Sequence, residues 1–172
     1  IRRRDAVSKF LHKSKSFEHQ RSIIFGEKSW SRENTYSYFL EMAAKNIALN
    51  GSLGLVLPKG IQGDVVVSAL REYLMSKGTI RLKAIENCTE GIKLFPNVAD
   101  QALLTLLRFS KNADVSKNII EAKFCPTFSE LDSEFEPEHS MTPAQLKKMF
   151  PETFEIVSFE SKVSRNIALI KG

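Results

Sequence analysis

A helix stop followed at once by a short apolar run narrows the folds open to this chain more than any other feature. The stop is Asn50-Gly51, and the run is Leu53-Gly54-Leu55-Val56-Leu57, closed by Pro58. Upstream, Tyr36, Phe39, Leu40, Ala43 and Ile47 recur at three- and four-residue spacing, which predicts an amphipathic helix over residues 35–49. Asn34 or Thr35 is its candidate cap, and Asn50-Gly51 supplies a left-handed end. Five apolar residues bounded by turn formers are too few for a second helix. They read as a strand covered on both faces, as buried parallel strands are.

The alternation continues. Val66, Ala69, Leu70, Tyr73 and Leu74 predict a helix from Asp64 to Lys77 ended by Gly78, although the β-branched Val65-Val66-Val67 sits poorly in its first turn. Thr79 to Ile85 alternates as a strand, a loop spans Glu86 to Asp100, and Ala102 to Phe109 reads as the next strand. Helix, strand, helix, strand, strand is the order of an α/β layer fold, with the last two strands paired antiparallel at one edge. Beyond Lys111 the texture changes. Ile119 to Phe124 has strand character, as do Phe154-Glu155-Ile156-Val157 and Ile167-Ala168-Leu169-Ile170. Residues 126–140, rich in Ser, Glu and Pro, read as a linker or exposed loop. Thr142-Pro143-Ala144-Gln145 opens a short helix with a reciprocal cap, and Met141 is placed to staple onto Leu146. The organisation is a basic arm at 1–34, an α/β unit at 35–112 and an irregular extension at 113–172.

Charge is concentrated at the start. Residues 1–32 carry nine Lys and Arg against three acids, a net +6 in a chain of net +5, with Phe10, Phe17, Phe25 and Trp30 interleaved. Cations for phosphates and flat rings for bases are what a polyanion-facing element needs, so Arg2, Arg3, Arg4, Lys13, Lys15 and Arg21 are candidate contacts to a DNA backbone. A solvated basic surface is the plainer account of the same residues. No apolar run approaches the roughly 18 residues of a membrane span, and the basic start lacks the apolar stretch of about 7–15 residues of a secretory signal. A cytoplasmic setting and no membrane partner are expected. The chain begins with Ile1 rather than Met, which predicts a piece of something longer.

Common catalytic constellations are missing from the sequence. Histidine occurs only at His12, His19 and His139, in segments read as loops or an exposed arm and better explained as solvated side chains than as a triad or metal site. Cys88 and Cys125 lie far apart without ligand spacing and read as buried or incidental thiols. The glycines form neither of the common phosphate-binding loops.

Four stretches in order carry a resemblance. They are the helix YFLEMAAKNIALNGS, the strand GLVLPKGI, the helix and strand in ALREYLMSKGTIRLKAIEN, and LFPNVADQALLTLLRFSK. From Tyr36 to Lys111 the chain resembles the second half of the catalytic domain of adenine-N6 DNA methyltransferases of restriction–modification systems. The resemblance implies a partial Rossmann-like methyltransferase sheet with a terminal antiparallel hairpin. It also implies a loop that packs an aromatic against the extruded target adenine, a stacking contact worth roughly 1–3 kcal/mol. Phe95 occupies the matching place, with Pro58, Lys59, Pro96 and Asn97 supporting the loop.

Two departures matter. The family's methyl-donor glycine loop is absent, and so is its catalytic (N/D/S)-P-P-(Y/F) turn, because no two of the six prolines are adjacent. The resemblance therefore implies S-adenosylmethionine for the complete enzyme and none for this chain alone, with no catalytic residue and no metal ligand here. Its implied partners are DNA, the N-terminal half of the methyltransferase domain, and restriction or specificity subunits. The competing expectations are a stand-alone nucleic-acid-binding module that works through the basic arm, and a subunit-interaction module that docks through its sheet edge.

Overall fold

The computed structural model describes residues 35–85, 104–126 and 128–158, and these form a mixed α/β unit around one five-stranded mixed sheet. Helix α1 (Thr35–Asn46) leads through a left-handed Asn50 (φ 62°) into β1 (Ser52–Pro58). A single helical turn, α2 (Gly60–Gly63), and a 3-10 turn (Val65–Val67) precede α3 (Ser68–Lys77). The hairpin strands β2 (Gly78–Ile85) and β3 (Leu104–Lys111) follow, then β4 (Ile120–Cys125), β5 (His139–Met141) and α4 (Pro143–Met149). No helix among the described residues is long and apolar enough to cross a membrane.

The strand order is β1-β3-β2-β4-β5. Strand β3 runs antiparallel to both β1 and β2, β2 and β4 are parallel, and β5 is antiparallel to β4. The expected hairpin is present, but β3 lies inside the sheet rather than at one edge. The reason lies in the connection from β1 to β2, two strands of like direction separated by one place. The apolar Leu104–Phe109 run returns into that gap and gains a neighbour on each side.

Strict alternation divides the sheet into two faces. One carries Leu55, Leu57, Leu107, Phe109, Ile80, Leu82, Ile120 and Ala122, and it packs against Leu40 and Ala44 of α1 and Leu70, Leu74 and Met75 of α3. Leu40, Leu70, Phe109 and Ile120 are wholly buried, each contributing roughly 1.5–3 kcal/mol relative to exposure. The other face carries Val56, Leu106, Lys83 and Lys123 in one cross-strand row and Gly54, Arg108, Arg81 and Glu121 in the next.

Several expectations require correction. Strand β1 is neither parallel to its neighbour nor covered on both faces. It pairs only with β3 among the described strands, and Val56 is 54% exposed. The buried stripe of α1 is rotated from the expected one: Phe39 is exposed, whereas Leu40, Ala44 and Glu41 are buried, the carboxylate held by Lys45 at 2.8 Å. The valine triplet forms a 3-10 turn, and the α-helix starts only at Ser68, since β-branched side chains crowd a preceding helical turn. Gly78 does end α3, as expected, and does so in an extended backbone. A Cβ there would stand 2.1 Å from the Ser110 carbonyl oxygen, so the glycine allows α3 to pass straight into β2 against β3.

The region after residue 112 is more regular than expected, because β4, β5 and α4 complete the same sheet and core. Its helix starts as the sequence indicates, with Thr142 Oγ1 accepting from Gln145 N (3.2 Å) and Thr142 N donating to Gln145 Oε1 (2.9 Å). Residues 130–138 are no free linker either. Lys83 Nζ donates to the carbonyl oxygens of Leu131 (2.9 Å) and Ser133, and Lys123 Nζ donates to Ser133 Oγ (2.8 Å) and the Glu134 carbonyl (3.1 Å). This strap crosses the β2/β4 half of the second sheet face.

Candidate functional site

The sheet end at which β1 finishes is where the resemblance places function. Register sets Pro58 opposite Leu104 and Ala84 opposite Thr105, so the end of β1, the end of β2 and the start of β3 meet there. Of the two anchors of the segment 86–103, Leu104 thus lies opposite Pro58, and Ile85 lies on the other side of β3. Phe95, Pro96 and Asn97 are outside the described residues, as are Arg2, Arg3, Arg4, Lys13, Lys15 and Arg21.

Lys59 begins the turn after β1 and is exposed, with its carbonyl accepting from Gln62 N at 2.8 Å. Gln62 is the hub. It is 5% exposed, its Nε2 donates to Thr105 Oγ1 at 2.5 Å, and its carbonyl accepts from Ile156 N at 2.9 Å. One residue therefore joins the turn after β1, the first turn of chain in β3 and the C-terminal segment.

Beneath the turn lies Arg71, 1% exposed, on the stripe that also carries Leu70, Leu74 and Met75. Its Nε and Nη2 donate to the Thr153 carbonyl (3.1 and 2.5 Å), Nε also reaches the Phe154 carbonyl (3.2 Å), and Nη1 donates to the Ile61 carbonyl (3.3 Å). Burial pulls its pKa down to about 10, while Tyr36, Glu155 and Asp64 act in the other direction. The planar fork suits this role, since it satisfies several carbonyls at fixed angles.

Tyr36, on the first turn of α1, points its hydroxyl at the same turn. That oxygen is buried without a hydrogen-bond partner. Burial first, then the charge of Asp64, pushes the phenol up to about 12, against the opposing effect of Arg71. A Cβ on Gly60 would meet Asp64 Oδ2 at 2.3 Å and Tyr36 Oη at 3.2 Å, so the space over this glycine is already filled.

These groups hold a backbone shape. The buried donors face protein carbonyls and Thr105, and no group of three His, Cys, Asp or Glu side chains able to hold a metal occurs among the described residues. His139 is not a solvated loop residue. It is buried in β5, with its ring 5.7 Å from that of Phe124. Cys125 is a buried thiol whose pKa is raised chiefly by burial. The space over Gly60 is taken by Asp64 and Tyr36, and Gln62 and Arg71 are bonded to Thr105 and to backbone carbonyls.

Gln62 and Arg71 carry no role in the sequence reading, and Tyr36 is there only one of the apolar stripe of α1. Arg71 left a trace, since it occupies an apolar spacing with Val67, Leu70, Leu74 and Met75. The Gln62–Thr105 bond spans 43 residues and leaves no local signal. Comparison with models of known protein families and with curated proteins returned no match.

Proposed function

We propose that this chain is the C-terminal portion of the catalytic domain of a DNA adenine-N6 methyltransferase from a restriction–modification system. It contributes part of a Rossmann-like sheet and the loop that contacts the target base, and it is not active alone. The observation that carries this reading is the meeting of three strand ends beside Pro58. The described parts of the four stretches of the resemblance fall on α1, β1, α3 with β2, and β3, and the sheet order sets both anchors of the Phe95 segment at the end where β1 finishes, Leu104 opposite Pro58 and Ile85 across β3.

The role of the chain is positional. Gln62 and Arg71 fix the turn after β1 and the start of β3, so a loop carried between β2 and β3 starts from a rigid rim. Phe95 offers an extruded adenine an aromatic face, and stacking offsets part of the few kcal/mol that unstacking costs. The basic residues Arg2, Arg3, Arg4, Lys13, Lys15 and Arg21 contact backbone phosphates. The Pro-Pro-aromatic turn and the S-adenosylmethionine loop come from the N-terminal half, which supplies the methyl donor and the group that holds the amine. The enzyme works in the cytoplasm, with DNA and the restriction or specificity subunits as partners.

Coexpression with an N-terminal half from such an enzyme tests this directly. Adenine methylation, read by protection of the DNA from the cognate nuclease, is expected only with both halves present. Phe95→Ala should lower it at least tenfold without a matching fall in thermal stability. Methylation unaffected by Phe95→Ala removes the base-contacting role, and no methylation from any pairing overturns the assignment.

A further inference from the structure

The open face of the sheet is asymmetric, and its uncovered half has a definite chemistry. Between the strap and the free edge of β1 runs an open trough of about 440 Å³, floored by Gly54, Val56 and Leu106 and walled by Arg81, Lys83 and Phe135. Val56 and Leu106 are directly opposite each other in the register, which makes an apolar strip two strands wide. The next row places Arg81 opposite Arg108. Like charges facing each other across a strand pair destabilise it. Glu121 answers only one of them, as the ion-pair partner of Arg81, and Arg108 stays exposed at the trough.

From this we infer that the trough docks an amphipathic helix of a partner polypeptide, with an apolar stripe over Val56 and Leu106 and carboxylates on the flank that meets Arg108. Charge complementarity selects this occupant. The trough is lined by three cations and no acid, so an apolar stripe with basic flanks is repelled and one with acidic flanks is drawn in. Nucleic acid is disfavoured because phosphates gain nothing over an apolar floor, and the donors of Lys83 are already held by carbonyls of the strap. The open side of the trough continues into the edge of β1 that no described strand pairs. In the methyltransferase reading the helix belongs to the N-terminal half. The inference rests on that reading only for the helix's owner.

A displayed library of helical peptides, with stripe and flank positions randomised, provides the test on the chain as it is. Selected binders should carry Leu, Ile or Val on the stripe and Glu or Asp on one flank. A synthetic binder should lose at least tenfold in affinity when its acids become lysines, and at least tenfold against Val56→Asp or Arg108→Glu, with both variants melting near the parent temperature. Basic or uncharged flanks among the binders, the absence of helical binders, indifference to Val56→Asp, displacement by a short DNA duplex, or occlusion of the trough by a second copy of the chain would each overturn the inference. Peptide docking without methylation in the coexpression assay leaves the trough assignment standing and removes the enzyme; methylation with a trough that binds nothing does the reverse.

Discussion

Across the second face of the sheet, the β2/β4 half and the β1/β3 half are built from the same alternating pattern yet end differently. On β2 and β4 the outward residues include Arg81, Lys83, Glu121 and Lys123; the strap at 130–136 accepts from Lys83 and Lys123, and Arg81 pairs with Glu121. On β1 and β3 they are Gly54, Val56, Leu106 and Arg108, and nothing in the described residues lies over them except the flank of Phe135. Charged side chains on a sheet face can be finished locally by backbone carbonyls. An apolar pair beside a free edge needs another surface. The first half is therefore finished by the chain's own strap, whereas the second is open among the described residues.

That contrast can be broken most severely at its shared strand. Phe109, wholly buried on the helix-covered face of β3, should cost about 3–5 kcal/mol when changed to Ala, whereas Val56→Ala on the open half should cost under about 0.5 kcal/mol. Urea unfolding of both variants measures the gap; equal losses would mean that the β1 half is as tightly held as the rest. Gly78→Ala comes next. Its methyl group would meet the Ser110 carbonyl at 2.1 Å, and because that neighbour is backbone of the interior strand, a loss of roughly 2–3 kcal/mol is expected by the same measurement.

A smaller effect separates the halves. Lys83→Met removes the donor to Leu131 and Ser133 and should cost about 1 kcal/mol. Amide exchange should quicken in residues 130–134 and stay unchanged in β1. The smallest change is a gain. Tyr36→Phe removes a buried hydroxyl without a partner and should stabilise the fold by up to about 1 kcal/mol at pH 7. Above pH 10 the gain should widen. The folded phenol titrates near 12 and the unfolded one near 10, so between these values the unfolded parent sheds its proton first and loses stability that the Phe variant keeps. Unfolding curves at pH 7, 10 and 11 check the sign.

Local features were readable in the sequence wherever short-range chemistry decided them. The left-handed Asn50, the alternation of Thr79–Ile85 and the capping box at Thr142 each appear at the expected place, because a turn, a pleat and a cap depend on neighbours a few residues away, although α1 ends at Asn46, short of the expected stop. Relations between distant residues were not. The run Leu53–Leu57 reads as a doubly covered strand because its composition is that of one, yet exposure depends on which strands sit beside it. The burial of His139 depends on β5 joining β4, a pairing that nothing near His139 announces. At the sheet end, Pro58 is legible as the close of the apolar run, whereas Lys59 enters only through the resemblance. The bonds that hold that turn, from Gln62 to Thr105 and from Arg71 to Thr153, connect positions 43 and 82 residues apart.

The strap is held in an unusual way for a segment so rich in Glu. Lys83 and Lys123 grasp main-chain oxygens and one serine hydroxyl and leave the carboxylates of Glu134 and Glu136 outward. Such a grip is blind to most side-chain identity. The outer rim of the molecule can thus drift in charge over evolutionary time, and retune which surfaces it attracts or repels, while the clasp that seats it stays as it is.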